Sequence, residues 1–403
     1  MEITFRTLTP IWTGGVEGNS NRPRESGIIG SLRWWYEVIV RGLGGAVGDP
    51  LAQRSSERYE FDLKAYGKAK RENKTTEEAL QEGLKTLGVV EYLFGTTGWA
   101  RLFRLYFADA PRTPLHFRSL LPMNQGWLER VFDPKNQTLQ CLRVLYGDMR
   151  LHVSFRGRDV AFARGQLEML MQFIATYGAL GAKPQHGFGQ IGELALDGGD
   201  PASTLTEGLQ SLRAKLNDSP WRSDATAAKS TYSLERFFHQ SYQLDSVQLN
   251  AFLSPDAHFG SVEQKEQIDY IPCAFDLRYK SRETIGMREW LRDVKGWDES
   301  DDPKQYGPVD KLMGPRSEWG KGYSKVRLPD EMRRASAIYF GMPVKVGGRY
   351  QIPVFGFAPV DLDKSVSEVA ELCQEYMAQA FDIESPTTVL GSDLLALGDG
   401  GEE

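Results

Sequence analysis

Between residues 27 and 41 the apolar side chains Ile28, Ile29, Leu32, Trp35, Tyr36, Ile39 and Val40 recur at spacings of three and four. That period gathers them on one stripe of an α-helix, which needs a broad apolar surface to lie against. Just upstream, residues 2–8 alternate polar and apolar side chains, the period of a strand with one wet face, and Pro10 closes the run. A half-covered strand followed by an amphipathic helix restricts the chain to layered architectures that mix helices with a sheet. Glycines at 14, 15 and 18 loosen the connection, Ser26 or Gly27 is expected to cap the helix, and Gly42, Gly44 and Gly45 end it.

The same alternation returns at residues 101–108, at 141–155 with a break at Gly147-Asp148, and at 188–196, while helical spacing occupies 159–177. A loop is expected from Pro111 to about Gln140. The order β-α-β-β-α-β is the split unit of the ferredoxin-like (RRM-like) fold, in which two helices cover one face of a four-stranded sheet and the other face stays open. Residues 51–94 are charged and helix-forming, with Thr75-Thr76-Glu77-Glu78 as a helix start, and read as a helical insertion.

Residues 197–230 read as a linker holding a short helix. Beyond it, strands are expected near 245–253, 268–280, 335–342 and 349–358, with helices near 281–295 and 364–383. The expectation is an α+β chain of two ferredoxin-like domains, 1–200 with its insertion and a degenerate second copy at 231–390, closed by an acidic flexible tail at 391–403. The basic, glycine-rich residues 314–327 are expected to order against a partner. At 403 residues, two domains are the simpler division.

Charge narrows the function. The chain carries a net charge of -6, unfavourable for binding phosphates, but residues 361–403 hold eleven Asp/Glu against one Lys. The remainder is therefore mildly basic. Cys141, Cys273 and Cys373 are far apart and lack the spacing of a zinc or disulfide framework, which suits a cytoplasmic protein. Neither a signal peptide nor a membrane span is expected.

Two segments carry candidate chemistry. In the first, Arg22 and Arg24 precede the helix start, Gly30 and Ser31 remove bulk near it, and Arg33 lies one turn inside. Exposed backbone amides and arginine forks at a helix start suit phosphate oxygens. Alternatively, Arg33 pairs with Glu37 and the tryptophans at 34 and 35 are core. In the second, Gly181, Gly187 and Gly189 surround Lys183 and His186 in a turn before the last strand of the first unit. Such a turn either lets a ligand backbone approach or is a tight connection with no ligand.

The run Gly-Ser-Leu-Arg-Trp-Trp at 30–35, after Thr-Pro-Ile-Trp-Thr-Gly-Gly at 9–15 and together with the later glycine-rich turn, resembles the RAMP superfamily of CRISPR proteins. Within it the nearest likeness is to the first subunit of the type III-B (Cmr) effector. Residues 334–341 and the strand at 350–357 share that likeness. The resemblance implies two ferredoxin-like domains and a non-catalytic subunit with no cofactor or metal. Its partners would be guide RNA, target RNA and other RAMP subunits, with Arg33, Lys183 and His186 facing RNA. Relatives often carry more arginine in the glycine-rich turn, where this chain has Pro184 and Gln185. The insertion matches no motif, and a finger at 111–140 that displaces a target base is suggested only by loop length and likeness.

Two other readings stand beside this one: a guide-processing endoribonuclease using His186, and an architectural subunit that meets only protein. A metal-independent ribonuclease needs a close acid and base, yet the five histidines are dispersed. A target-cutting relative would carry an aspartate after the first strand, and residues 9–26 contain none. No metalloprotease, phosphate-loop or nucleophile-elbow pattern occurs in its required context.

Overall fold

The computed structural model describes residues 1–13, 23–49, 53, 55–118, 142–196, 201–218, 230–245, 247–248, 269–272, 274–278, 285–298, 306–315, 318–319, 326–327, 334–346 and 349–399. Strand β1 (Glu2–Thr7) is followed by α1 (Glu25–Gly42) and by four short helices, α2 (Ser55–Arg58), α3 (Leu63–Arg71), α4 (Thr76–Leu84) and α5 (Val89–Phe94). Then come β2 (Phe103–Asp109), β3 (Arg112–Arg118), β4 (Leu142–Leu145), β5 (Asp148–Phe155), α6 (Val160–Tyr177), β6 (Ile191–Leu196) and α7 (Pro201–Asn217). The first sheet has the order β2-β5-β1-β6, with every pair antiparallel.

The sequence periods explain the burial. In β1, Ile3 and Phe5 are buried and Glu2 and Arg6 exposed; β5 repeats this with Met149, Leu151 and Val153 inside. On α1 the buried set is Ile28, Leu32, Trp35, Tyr36 and the residues Val38 to Val40. The helix begins at Glu25 with Arg24 as its extended N-cap, so neither Ser26 nor Gly27 caps it. A carboxylate in the first turn and the Gly27 N–H donating to the Arg24 carbonyl hold that start instead. The start expected at Thr75 is present, with reciprocal bonds between Thr75 and Glu78.

The second half opens on β7 (Phe237–Leu244), a strand absent from the expectation, which ran the linker to 230 and placed a strand at 245–253. It continues with β8 (Asp269–Pro272), α8 (Phe275–Arg278), α9 (Met287–Asp293), α10 (Pro308–Met313), the two-residue strands β9 (Glu318–Trp319) and β10 (Val326–Arg327), β11 (Ile338–Phe340), β12 (Val344–Val346), β13 (Arg349–Phe357) and α11 (Val366–Phe381). It ends in β14 (Thr387–Leu390) and α12 (Gly391–Leu397). The second sheet runs β11-β13-β7-β14, with β12 also on β13.

Three expectations change. Arg112 to Arg118, placed in a loop, form β3, which pairs antiparallel with β4 and parallel with β8, so a small third sheet ties the halves together. The finger at 111–140 otherwise lies outside the described residues. Within 314–327, β9 and β10 pair with each other. The acidic tail is helical over α12, because Leu394 is buried and a Cβ on Gly391 would fall 1.6 Å from the Leu234 carbonyl oxygen. The chain is pressed directly onto the connection before β7.

The halves share a core. Phe237, Tyr339, Phe355, Phe357 and Leu394 of the second half belong to the same buried cluster as Trp35, Phe173 and the inner residues of the first sheet. The Trp35 ring meets Phe173, Phe237 and Phe355 at centroid distances of 5.3, 6.1 and 5.5 Å. The opposite side of the second sheet, with Phe238, Phe340, Ile352 and Val354, packs on Val369, Cys373, Tyr376 and Met377 of α11. The second sheet is thus covered on both faces, by its own helix and by α1 and α6. The first sheet is covered on one. No helix among the described residues is long and apolar enough to cross a membrane.

Candidate functional site

The two segments singled out in the sequence meet. The Gly181 N–H donates to Ser31 Oγ at 3.0 Å, fixing the glycine-rich turn against the first part of α1. The Trp35 Nε1–H donates to the Ala179 carbonyl at 2.9 Å, and a Cβ on Gly178 would lie 2.7 Å from the Trp35 ring. Between them opens a cavity of about 590 Å³. Its first-half wall is Gly27, Gly30, Ser31 and Trp34 with Gln185 and His186; its second-half wall is Tyr232, Arg278, Tyr339 and residues 334–336. Gly30 is exposed, and a Cβ there would meet no atom within 4 Å.

Arg33 is corrected. Its guanidinium lies 2.9 Å from Glu37 and 3.0 Å from Glu91, and donates to the Gly95 carbonyl at 3.1 Å. A side chain held by two carboxylates and a carbonyl has little left for a phosphate, and Arg33 does not line the cavity. Its partner Glu91 is fully buried in α5, and burial pushes that carboxyl up to about 7 against the pull of Arg33. The pair joins the helices between α1 and β2 to α1.

His186 is in the cavity wall but carries no charge there. It lines the cavity but is only 7% exposed, and burial, with the charges of Arg278 and Lys183 added, drives its pKa well below the ordinary histidine value. The imidazole is therefore neutral near pH 7 and brings no cationic charge. Lys183 sits at φ 64° with its Nζ 5.7 Å from the centre of the Trp12 ring. Gly187 and Gly189 serve the fold rather than a ligand. At φ +84° and +87°, their Cβ positions would meet Met342 at 2.5 Å and the Leu180 carbonyl oxygen at 2.1 Å. Arg24 is half-buried as the N-cap, and Arg22 lies outside the described residues.

Two cationic groups of the cavity come from the second half. Arg278, at the end of α8, is buried and donates to the Met313 carbonyl at 2.7 Å and to that of Ile338 at 3.4 Å. Arg334 forks onto Asp361 at 2.7 and 2.8 Å. Tyr232 and Tyr339 have raised pKa values, chiefly through burial, so both phenols keep their protons. Arg334 opens a sequence block already noted for its likeness, but no role was attached to it. Arg278 lies in the stretch 268–280 expected as a strand, and no role was attached to it.

The cavity combines flat rings, guanidinium groups and the open first turns of a helix. Rings can sandwich a planar heterocycle, and guanidinium groups can hold an anion beside it.

The family model of the RAMP superfamily matches residues 4–191. No curated protein matches the chain. Among solved structures the chain is similar to Cmr1 from Pyrococcus furiosus in its apo form, at 12% identity over 91% of this chain and 92% of that one, with a TM-score of 0.37. It is also similar to a chain of the Type III-B Cmr-beta complex bound to cognate target RNA, at 11% identity over 93% and 98%, TM-score 0.37. The same complex with AMPPnP and ssDNA gives 9% identity over 94% and 98%, TM-score 0.38. The family match runs from β1 through α1 and the glycine-rich turn to the start of β6. The likeness of this chain to the RAMP superfamily thus rests on residues 4–191.

Proposed function

We propose that the chain is a non-catalytic RNA-binding subunit of a type III-B CRISPR ribonucleoprotein in the cytoplasm. It would contact guide or target RNA and pack against a neighbouring RAMP subunit. The observation that carries the reading is the cavity in which the start of α1, the glycine-rich turn and Arg334 converge. The family match and the sequence blocks at both ends support the assignment to this kind of complex. Both sheets place their strands in the order second, third, first, fourth if β12 and the small sheet are set aside. That order supports two ferredoxin-like domains, 1–200 and 231–390, the first with a helical insertion.

One nucleotide of a single strand fits the chemistry of the cavity. Trp34, Tyr232 and Tyr339 offer ring surfaces to the base, and Arg334 and Arg278 supply the cationic groups for the phosphate. Arg334 would exchange Asp361 for phosphate in part, so binding by the isolated chain is expected to be weak and salt-sensitive. The non-catalytic reading is supported by the burial of His186, which leaves little of the imidazole within reach of a ribose hydroxyl.

Gly30→Glu tests the reading. The new side chain enters open space on an exposed helix position, so the fold should hold, and its carboxylate stands at the cavity mouth. Fluorescence anisotropy with a labelled single-stranded RNA should show at least a tenfold loss, about 1.4 kcal/mol. Unchanged affinity with an unchanged melting temperature would remove the cavity from RNA binding. Metal-free cleavage of a repeat-containing transcript, abolished by His186→Ala, would establish the endoribonuclease reading instead.

A further inference from the structure

The first sheet keeps an open face, and its side chains form a regular grid. Cross-strand pairing sets Arg104 beside Ser154, Tyr106 beside His152 and then Glu2, Arg150 beside Thr4, and Asp148 beside Arg6. Tyr106 is 48% exposed, one of the few large apolar side chains left in solvent. Its ring stacks on His152 with centroids 4.9 Å apart and planes 29° from parallel. Arg104 precedes Tyr106 by two residues on β2, and Arg150 precedes His152 by two on β5, so both share the face of the stack.

Several arginines elsewhere in the chain are taken up by carboxylates. Arg33, Arg41, Arg164, Arg213, Arg292 and Arg334 each reach a carboxylate. Among the described residues Arg6, Arg104 and Arg150 do not, although acidic groups share their face. Glu2 lies beyond His152 on β1, while Asp109, Asp148 and Glu193 line a shallow hollow of about 330 Å³ at the other end with Arg6 and Arg150. The neighbouring Arg104–Ser154 pair has no carboxylate, and Glu2 ends the row of the stack on the far side of His152 from Tyr106.

We propose that this face is a second binding surface for single-stranded RNA, separate from the cavity. A base stacks on the Tyr106–His152 pair, and Arg104 and Arg150 hold the flanking phosphates. A protein partner would call for a broader apolar centre than one ring pair among arginines. Stacking with cationic flanks is the chemistry by which sheet faces take unpaired nucleotides. The choice of RNA as the strand rests on the function proposed above; the surface itself does not involve the cavity.

The test uses the full chain with a fluorescent oligouridylate and the same oligonucleotide annealed to its complement. Tyr106→Ala is expected to weaken single-strand binding about tenfold, with Tyr106→Phe near the unsubstituted chain and the duplex unaffected. Arg150→Ala should lower the slope of log affinity against log salt by about one. Tyr106 is exposed, so melting temperature should not move. Combined with Gly30→Glu, the losses should multiply, since the two places share no residue. If Gly30→Glu weakens binding while Tyr106→Ala and Arg150→Ala do not, the second surface is wrong and the cavity stands. If the reverse holds, the cavity reading fails and the second surface stands. Unchanged RNA binding by Tyr106→Ala together with loss of that variant from a reconstituted complex would make the face a protein contact and overturn the inference.

Discussion

Buried charge at single residues sets how this protein responds to pH and to substitution. Glu91, with its carboxyl raised to about 7, holds a proton in the folded chain that the unfolded chain has released. Its contribution to stability is full below the ordinary carboxyl value of 4.5 and is lost as pH rises through about 7. His239, lowered to about 4 by burial, acts in the opposite sense: its contribution is full above 6.5 and is lost as pH falls toward about 4. Denaturant titrations across this range should show Glu91→Gln removing a loss of stability on the alkaline side and His239→Gln removing one on the acid side. Arg33→Ala should cost about 3 kcal/mol above pH 7, where it strands the Glu91 carboxylate, and less in acid. The sequence exposed the Arg33–Glu37 pairing as an alternative through its four-residue spacing, but Glu91 lies 58 positions away and no local pattern links it to Arg33.

At the scale of elements, legibility followed the number of wet faces. The strands β1 and β5 have one covered side, so their period of two was visible, and the apolar spacing of three and four marked α1 and α6; all four fall within a few residues of expectation. Strand β7 was missed because it is buried on both sides: its residues Phe237 to Gln240 are all inside, and alternation disappears. Its polar members have internal partners, as where Gln240 donates to the Ala370 carbonyl at 3.0 Å. Helix α7 was expected only as a short helix within a linker because its polar side dominates the composition, although it runs from Pro201 to Asn217 and Leu205, Leu209 and Leu212 form its buried stripe. Where helix α1 meets the second sheet, Trp35→Ala should cost about 4 kcal/mol by opening a cavity among Phe173, Phe237 and Phe355, measured by urea titration. The candidate site was half legible. The convergence of helix start and glycine-rich turn came from short-range pattern, while Arg278 and Arg334 reach it only through folding of the second half.

Across the whole molecule, the shared core argues against independently stable halves. With Phe237, Phe355 and Phe357 in the cluster of the first sheet, separating the halves would bare large rings on both. Differential scanning calorimetry should therefore give one cooperative transition rather than two. Helix α12 joins the same cluster through Leu394, so Leu394→Asp should lower that single transition, whereas Ser392→Asp on the exposed side should leave it in place.

The double covering of the second sheet also bears on how such chains are traced through evolution. A strand with one wet side is under pressure to keep its two-residue rhythm, whereas a strand enclosed on both sides answers only to volume and can exchange one bulky residue for another. The two-residue rhythm by which a strand is recognised is then legible in β1 and β5 and absent from the first four residues of β7. The recognised segment stops at Ile191, shortly before the chain enters the enclosed half.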